Sequence, residues 1–331
     1  MAALVSLGIE STAHTFGVGI VDWKNKKVLA NEKKSFTTIK GGIIPAKASE
    51  HHVRYCKDVL DSALAKAEIS MKDVDIIAFS QSPGLGHTLR IGAMAAKSLS
   101  LIHNKPMVGV NHCIAHLEIG RMLFNAVDPI LMYASGANTQ IIAYEGKKYR
   151  IFGETLDIGI GNFLDSFARE LGMGFPGGPK IYELALKSKN YVELPYSVKG
   201  MDVSFGGILT NLKHKVRSDK FRKEDLCYSV QETVFAMLIE VTERAIAQCK
   251  KKELVIGGGV GCNLRLQEMA KIMCRENNYK CSIPKNEFLV DNGAMIAWQG
   301  ALEYKAGKVT SIRNSMVKPY ERTDDVEVNW R

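Results

Sequence analysis

The sequence predicts an α/β protein of two similar lobes separated by a central cleft. Near the N-terminus an apolar strand, a polar turn, a second strand, a basic turn and a third strand follow one another, and the same series returns from residue 130. In each half, helical periodicity then alternates with further short apolar runs. Alternating strands and helices are typical of mainly parallel sheets covered on both faces, here after an antiparallel opening.

The predicted elements follow in order along both halves. In the first half the pattern predicts strands at 4–9, 16–23, 28–35, 75–80 and 107–111, and helices near 46–68 and 88–103. In the second half it predicts strands at 130–135, 140–145, 149–154 and 253–258, and helices near 160–172, 223–250 and 263–276.

The repeat divides the chain into a first lobe at 1–126 and a second lobe at 127–317, whose last helix can pack back on the first. Residues 318–331 are polar and acidic, and we expect a loosely held tail or a joint to a following domain. Two polar turns, ESTAHT at 10–15 and SGANT at 135–139, occupy equivalent places in the lobes. Both should face the cleft and offer backbone N–H groups to an anionic or polar ligand.

Composition limits the class of protein. The 331 residues, 46% of them hydrophobic, suffice for about two domains with full cores. No apolar run approaches the ~20 residues that span a bilayer, and no signal-peptide pattern is present, so we expect a cytoplasmic protein without membrane association. The seven cysteines lack a C-x-x-C pair, which predicts reduced thiols. A net charge of +9 and a basic run at 213–223 favour either a polyanionic partner or a solvated helix face.

Two histidines are candidate metal ligands. His112 and His116 stand four residues apart just after a strand, so that in a helix both imidazoles share one face at the sheet edge. Spacing alone does not separate a zinc or iron site from two unrelated histidines. The protease pattern H-E-x-x-H is excluded, because Cys113 replaces its glutamate. Asp291 is most simply the N-cap of a following helix, although its carboxylate would complete a metal site if the fold brought it there.

Three glycine-rich turns are candidates for nucleotide binding. Asp165 lies in a predicted helix and could accept hydrogen bonds from a ribose, and Gly178 in the bend that follows would admit a flat ligand. The run GGGVGCN ends at Asn263, which can cap the next helix or touch a ligand. SPGLGHTLRIG at 82–92 is the third. Each is equally typical of an ordinary turn, and none matches the dinucleotide or phosphate-loop patterns.

Eight motifs together resemble the TsaD family, in the branch that belongs to the KEOPS complex. They occur in the family's order and spacing from about residue 3 to 320: GIESTAHT, SPGLGHTLRIG, GVNHCIAHLEIG, YASGANTQ, GNFLDSFAREL, GFPGGPKI, GGGVGCNLRL and LVDNGAMIAW. Each is ambiguous alone, but eight in register are highly specific. The resemblance implies a fold of the actin, Hsp70 and sugar-kinase type (ASKHA), which agrees with the duplicated lobes.

The resemblance also implies the reaction. A threonylcarbamoyl group passes from threonylcarbamoyl-AMP to the N6 amine of the adenosine directly 3′ of the anticodon, in tRNAs that read codons beginning with A. Because the mixed anhydride is already activated, no covalent nucleophile is needed; the site has to orient the donor, stabilise developing charge and exclude water. A metal ion would act as the Lewis acid.

Matching positions imply the site residues. His112, His116 and Asp291 resemble the family's metal ligands, and Tyr133 resembles a fourth whose phenolate favours iron over zinc, with one ion per chain. ATP, with magnesium, is the alternative ligand of the same cleft. The implied donor-binding residues are Tyr133, Ala134, Ser135, Gly136, Ala137, Asn138, Asp165, Gly178, Tyr182, Glu183 and Asn263.

Some positions depart from the family pattern. Ala137 stands where a second glycine is usual, which crowds the closest approach of backbone to donor. Tyr182 stands where an acidic residue is usual and Glu183 follows one place later, so the ribose contact is open between them. Residues that replace a frequent proline, cysteine and serine are His87, Thr88 and Gly206.

The resemblance implies four partners: tRNA, a kinase-like ATPase that some archaea fuse behind this domain, a small dimerising subunit and a regulatory subunit. Other classes of function remain open from the residues alone. A metalloprotease would need a water-activating carboxylate beside the metal. A nucleotide-binding scaffold would use ATP and metal for assembly, and an ATP-hydrolysing relative of the sugar kinases would consume ATP without an acyl donor.

Overall fold

The computed structural model describes residues 4–39 and 42–331, and the predicted first-lobe range 1–126 lies partly outside them. The first half contains β1 (Val5–Glu10), β2 (Thr15–Asp22), β3 (Lys27–Ser35), α1 (Pro45–Ala67), β4 (Ile76–Ser82), α2 (Gly86–His103), β5 (Met107–Asn111) and α3 (His112–Phe124). The second half contains β6 (Ile130–Ala134), β7 (Thr139–Glu145), β8 (Lys148–Glu154), α4 (Ile160–Glu170), α5 (Gly178–Ala185), β9 (Val198–Lys199), β10 (Asp202–Val203), α6 (Gly206–Arg217), α7 (Lys223–Gln248), β11 (Glu253–Gly257), α8 (Leu264–Glu276), β12 (Lys280–Ser282), α9 (Asn286–Leu289) and α10 (Gly293–Lys305).

Both halves share one sheet topology. The first sheet has the order β3-β2-β1-β4-β5, and the second has the order β8-β7-β6-β11-β12. In each sheet the first three strands are antiparallel, and one of them, β1 or β6, is the central strand and also pairs in parallel with β4 or β11. The predicted α/β class, its duplication and its antiparallel openings are confirmed.

Local sequence explains where the helices begin and end. Pro45 starts α1, because its fixed φ and missing N–H suit the first helical turn, and Glu68 ends it in the left-handed conformation. Asn111 is the last residue of β5 and also caps α3, since its side chain accepts hydrogen bonds from the N–H groups of Cys113 and Ile114. The chain therefore passes from strand to helix without a loop.

Two helices lie between the sheets. α10 packs against β1, β2 and β4, and Gly8 and Gly19 permit this approach because a Cβ at either position would overlap main-chain atoms of α10. α3 contacts both α10 and β11, and ten of its thirteen residues are buried. Gly120 of α3 makes room for the side chain of Val255 in β11. α3 thus belongs to the cores of both halves.

Residues 318–331 pack first against the end of β4 and the loop after it, and then against the second half and α3. Trp330 Nε1 donates a hydrogen bond of 2.9 Å to the buried Glu118 carboxylate, and the Arg331 guanidinium lies 4.1 Å from the centroid of the Tyr144 ring. The expectation of a loosely held tail is therefore wrong, because its polar composition concealed these two anchors. The alternative, a joint to a following domain, stays a prediction.

The remaining expectations from composition concern thiols, membranes and the basic run. All seven cysteines are free thiols, as predicted. Among the described residues, every helix is too short or too polar to traverse a bilayer. The basic run at 213–223 spans the last turn of α6 and the loop before α7, and there Arg217 pairs with Glu170 at 3.1 Å. The structure therefore accommodates these charges on a helix end, and their contact with a polyanion stays a prediction.

Candidate metal centre and the adjoining cleft

His112 and His116 lie at the start of α3, as the sequence predicts. Because Asn111 fixes the start of the helix, His112 is its first residue and His116 follows one turn later on the same face. Both are buried, and their ring centroids are 4.8 Å apart. The two imidazoles can therefore bind one ligand together.

Asp291 joins the two histidines from the far end of the chain. Its Oδ1 lies 3.3 Å from His112 Nε2 and 3.6 Å from His116 Nε2. The simplest interpretation of Asp291, as the N-cap of α10, is wrong: Asn292 is the cap, and its side chain accepts a hydrogen bond of 3.0 Å from the Met295 N–H. The carboxylate is left free, and ligand atoms of the three residues lie within 4.8 Å of one another.

Tyr133, at the end of β6, reaches the same point from the second half. Its hydroxyl lies 3.1 Å from His112 Nε2, and the residue is only 1% exposed. Burial raises the pKa of this phenol well above its usual value, so it carries its proton when no cation is near. The four residues implied as ligands thus meet at one place.

Glu10 is a residue of this cluster that the sequence analysis missed. Its Oε2 lies 2.9 Å from His112 Nδ1, and its Oε1 accepts hydrogen bonds from the N–H and the hydroxyl of Thr12. A carboxylate on one ring nitrogen orients the other towards a metal, and here Nε2 faces Asp291 and Tyr133. The available signal was position, because Glu10 is the carboxylate of the ESTAHT turn and directly ends a strand.

The electrostatics of the cluster favour a cation. Burial opposes charge on His112, but the Glu10 and Asp291 carboxylates outweigh it and hold the pKa of His112 well above its usual value. Burial lowers the pKa of His116. Burial alone would raise the pKa of Asp291, but the two histidines reverse this and hold it well below its usual value. In the metal-free protein one imidazolium therefore lies between two carboxylates, next to a neutral imidazole.

The hydrogen bonding of His116 indicates whether these residues suit a metal ion. Neither of its ring nitrogens has a hydrogen-bond partner among the described residues, although the side chain is buried. Buried polar atoms nearly always have a partner, so this ring lacks a ligand that the site would normally supply. Two imidazole nitrogens, a carboxylate and a phenol oxygen form a donor set suited to zinc or iron. The cluster could therefore hold a metal ion.

The turn at 135–138 adjoins the cluster, because it follows Tyr133 closely in the chain. A hydrogen bond of 2.9 Å from the Ser135 N–H to the Asn138 carbonyl closes it, and the first residues of α4 donate N–H groups to two of its carbonyls. Asn138 Nδ2 lies 3.6 Å from Cys113 Sγ in α3. The predicted donor-binding residues placed here are Ala134, Ser135, Gly136, Ala137 and Asn138.

Asp165 and Gly178 lie further along the second half. Asp165 Oδ1 accepts a hydrogen bond of 2.7 Å from the Gly177 N–H, and burial raises the pKa of this carboxyl. A Cβ at Gly177 would overlap the Ala168 side chain, whereas a Cβ at Gly178 would meet nothing within 4 Å. Packing therefore explains the first glycine and leaves open space in front of the second, where a ligand can approach.

Tyr182, Glu183 and Asn263 complete the predicted set. Tyr182 is partly buried in α5 and its neighbour Glu183 is exposed. Asn263 caps α8, since its Oδ1 accepts a hydrogen bond of 2.9 Å from the Arg265 N–H, and its Nδ2 donates one of 2.8 Å to Gln231. Capping, one of the two predicted roles of Asn263, is confirmed. Contact of these three residues with a ligand stays a prediction.

The fold and the cluster define a two-lobe protein of the ASKHA type with a candidate metal centre between its halves. Solved structures support the fold alone. HypF from T. kodakarensis is similar with a TM-score of 0.63 and 13% identity, over 92% of this chain and 48% of that one. Component A of the (R)-2-hydroxyglutaryl-CoA dehydratase of Acidaminococcus fermentans is similar with a TM-score of 0.53 and 14% identity, over 93% and 100%.

The chain belongs to the TsaD family, tRNA N6-adenosine threonylcarbamoyltransferase, whose family model matches residues 27–298. It is 57% identical to the tRNA N6-adenosine threonylcarbamoyltransferase of Thermococcus kodakarensis, over 99% of this chain and 100% of that one. It is 49% identical to the enzyme of the same name from Encephalitozoon cuniculi, over 99% of both. In Methanocaldococcus jannaschii a probable bifunctional tRNA threonylcarbamoyladenosine biosynthesis protein is also 49% identical, and this chain spans 60% of its length.

Proposed function

We propose that this protein transfers the threonylcarbamoyl group from threonylcarbamoyl-AMP to N6 of the adenosine directly 3′ of the anticodon in tRNAs that read codons beginning with A. Membership of the family supports the reaction class. The observation that carries the proposal is the cluster of His112, His116, Asp291 and Tyr133, which lies at the cleft with two unpartnered nitrogens on a buried ring.

The reaction is acyl transfer without a covalent enzyme intermediate. The N6 amine forms a bond to the carbamoyl carbon, and the bond from that carbon to the phosphate oxygen breaks, so that AMP leaves. The residues have to hold donor and acceptor in line and keep out water, which would hydrolyse the anhydride. Burial of the cluster supports the exclusion of water, and the turn at 135–138, which follows Tyr133 in the chain, would hold the donor.

His112, His116, Asp291 and Tyr133 would hold an iron or zinc ion, one per chain. When bound, such an ion polarises the carbonyl or phosphate oxygen as a Lewis acid. Glu10 keeps the Nδ1 side of His112 occupied and presents Nε2 to the site. The phenol of Tyr133 carries a proton in the metal-free protein, so its coordination would require that proton to leave.

The second half would bind the adenylate. The carboxylate of Asp165 keeps one oxygen for the Gly177 N–H and has another for a ribose hydroxyl. Open space in front of Gly178 admits the flat adenine. Tyr182, Glu183 and Asn263 lie in the same half and would complete the adenylate site. ATP with magnesium is the alternative ligand of this site.

Partners follow from the reaction and from relatives. tRNA is implied by the reaction. The bifunctional relatives carry a further part beyond the length of this chain, which supports a partner subunit, and we propose that this partner is a kinase-like ATPase. We propose a small dimerising subunit and a regulatory subunit as the others, as in the KEOPS complex, and a cytoplasmic location, where tRNA is modified.

Mass analysis of tRNA nucleosides tests the proposal. Reconstituted mixtures containing the partner subunits, threonylcarbamoyl-AMP and tRNA are compared for wild type, His116→Ala and His52→Ala. His52 is the matched control, since it is also fully buried without a hydrogen-bond partner among the described residues. We expect threonylcarbamoyladenosine with wild type and His52→Ala and its loss with His116→Ala. ATP hydrolysis or peptide cleavage by the wild type, without modified nucleoside, would instead indicate one of the other classes.

A further inference from the structure

His14 lies in the polar turn of the first half, and the proposed reaction as described so far gives its side chain no role. It lies in the ESTAHT turn between β1 and β2 and is partly exposed. Its ring packs edge to face against the Phe175 ring, with 5.2 Å between centroids and 85° between ring planes. Because Phe175 belongs to the second half, His14 crosses the cleft.

On one side, His14 adjoins the metal cluster. Thr12, two residues earlier in the same turn, has its hydroxyl 3.3 Å from His112 Nδ1. Electrostatics agree with this placement. Burial raises the pKa of Asp291, the two cluster histidines lower it, and the charge of His14 adds to the lowering.

On the other side, His14 adjoins the predicted ribose contact. Its partner Phe175 lies two residues before Gly177, whose N–H donates to Asp165 at 2.7 Å. Burial raises the pKa of Asp165, and the Gly177 N–H and the charge of His14 both oppose the rise. The His14 ring, in contact with Phe175, is therefore within electrostatic reach of both carboxylates, one at each end of the proposed donor site.

A donor that spans these two ends must pass His14. In threonylcarbamoyl-AMP the phosphate links the ribose to the carbamoyl group, so a ribose at Asp165 and a carbonyl at the metal cluster place the phosphate between them. We propose that the His14 side chain donates a hydrogen bond to this phosphate, in the bound donor and in the departing AMP. The inference rests on the proposed function, because the donor defines which group lies at this point.

The contact acts on the bond that breaks. As the N6 amine bonds to the carbamoyl carbon, the electron pair of the carbon to oxygen bond moves onto the phosphate, and the amine proton leaves with the departing AMP. The N–H of the His14 ring donates to the phosphate oxygen and stabilises the charge that develops on it. The imidazole has no hydrogen bond to another described residue that would compete for this role.

Lys33 is the competing cation of the cleft. It is partly buried in β3, and its ammonium donates to the Glu287 carbonyl at 3.4 Å. It also lies within electrostatic reach of Asp291. Its hydrogen bond to Glu287 holds the ammonium at α9, whereas His14 contacts Phe175 directly, which makes His14 the better partner for the phosphate.

Binding of AMP and of adenosine, each measured by calorimetry on the purified protein, separates the phosphate contact from the rest of the site. We expect wild type to prefer AMP, and His14→Leu to lose about tenfold in AMP affinity with adenosine affinity unchanged. His14→Gln, which retains a donor, should recover most of the loss. His51→Leu, a histidine of α1 next to His52, should behave as wild type.

Adenosine binding also reports that each variant is folded. Equal losses for AMP and adenosine in His14→Leu, an unchanged preference for AMP, or loss of that preference in Lys33→Met alone would each overturn the proposal. A wild type that prefers AMP through His14 but yields no modified tRNA nucleoside in the reconstituted reaction would instead refute the proposed function and leave the phosphate contact standing.

Discussion

The metal cluster and the proposed adenylate-binding residues of the second half, here called the donor wall, differ in whether their polar atoms already have hydrogen-bond partners. At the cluster, both ring nitrogens of His116 lack partners among the described residues, and the Asp291 carboxylate is released from capping because Asn292 does that work. Along the wall, Asp165 already accepts from Gly177, and Asn263 already caps a helix. Unsatisfied buried nitrogens that lie beside a second imidazole and a carboxylate indicate a ligand site, whereas the equally unpartnered His52 ring belongs to no such cluster among the described residues. A satisfied group serves the fold whether or not a ligand binds.

Removing a ligand from the cluster is expected to have the largest effect. His116→Ala should cost more than the ~10–100-fold in metal affinity that loss of an outer-sphere partner causes, because it removes a coordinating nitrogen. Elemental analysis of the purified protein checks this, with His52→Ala as the matched buried histidine. Metal content that survives in His116→Ala would remove the contrast between the two regions.

Glu10→Gln should weaken metal binding by about 10–100-fold. The amide keeps the shape of the side chain but loses the charge that orients and polarises His112 through Nδ1. Competition with a chelator measures the change. An affinity equal to that of wild type would mean that Glu10 serves only to bind Thr12 and hold the turn.

Metal affinity should rise with pH by about tenfold per unit until the raised pKa of His112 is passed, because the ion must displace the proton on that ring. Metal affinity rises rather than falls with pH because the carboxylates favour the protonated His112 ring in the metal-free protein. In Glu10→Gln the plateau should begin at a lower pH, since one of these carboxylates is gone. Chelator competition over about pH 5 to 8 checks both statements; an affinity independent of pH would contradict them.

Asp165→Asn is expected to have the smallest effect, about a tenfold loss of adenosine affinity, with metal content unchanged. The asparagine oxygen can still accept from the Gly177 N–H, so the turn should survive and the free energy of unfolding should stay within about 0.5 kcal/mol. Calorimetry and denaturant unfolding measure the two quantities. A loss of adenosine affinity together with a loss of stability would show that Asp165 is a structural residue rather than a ligand contact.

The sequence predicted the parts of this protein that are local. Strand and helix periodicity gave the duplicated sheets, and the spacing of His112 and His116 placed both rings on one helix face. Periodicity and spacing did not show that Asp291 lies beside them, because that contact depends on α10 packing against the first sheet, and only the family resemblance implied it. From the residues alone Asp291 was interpreted as the N-cap of α10, since Asp and Asn both cap helices. Only the structure shows that Asn292 is the cap.

Glu10 and the tail show a second limit. Glu10 has no periodicity of its own, and its contact with His112 arises because β1 and β5 end at the same edge of one sheet. The polar composition around Trp330 and Arg331 indicated a loosely held segment, yet both side chains contact residues far away in the chain. In both cases the decisive partner lies far away in the chain.

The position of α3 between the two sheets bears on how the two halves would move apart. One face of this helix packs with α10, which lies on the first sheet, and the other with β11 of the second sheet, so the helix that carries both histidines is held from both sheets. Rotation of one half against the other has its smallest displacement close to the axis, and a helix held from both sides marks that axis. The ligand atoms would then keep their spacing while the rim, where His14 meets Phe175, widens enough to admit a bulky nucleic acid.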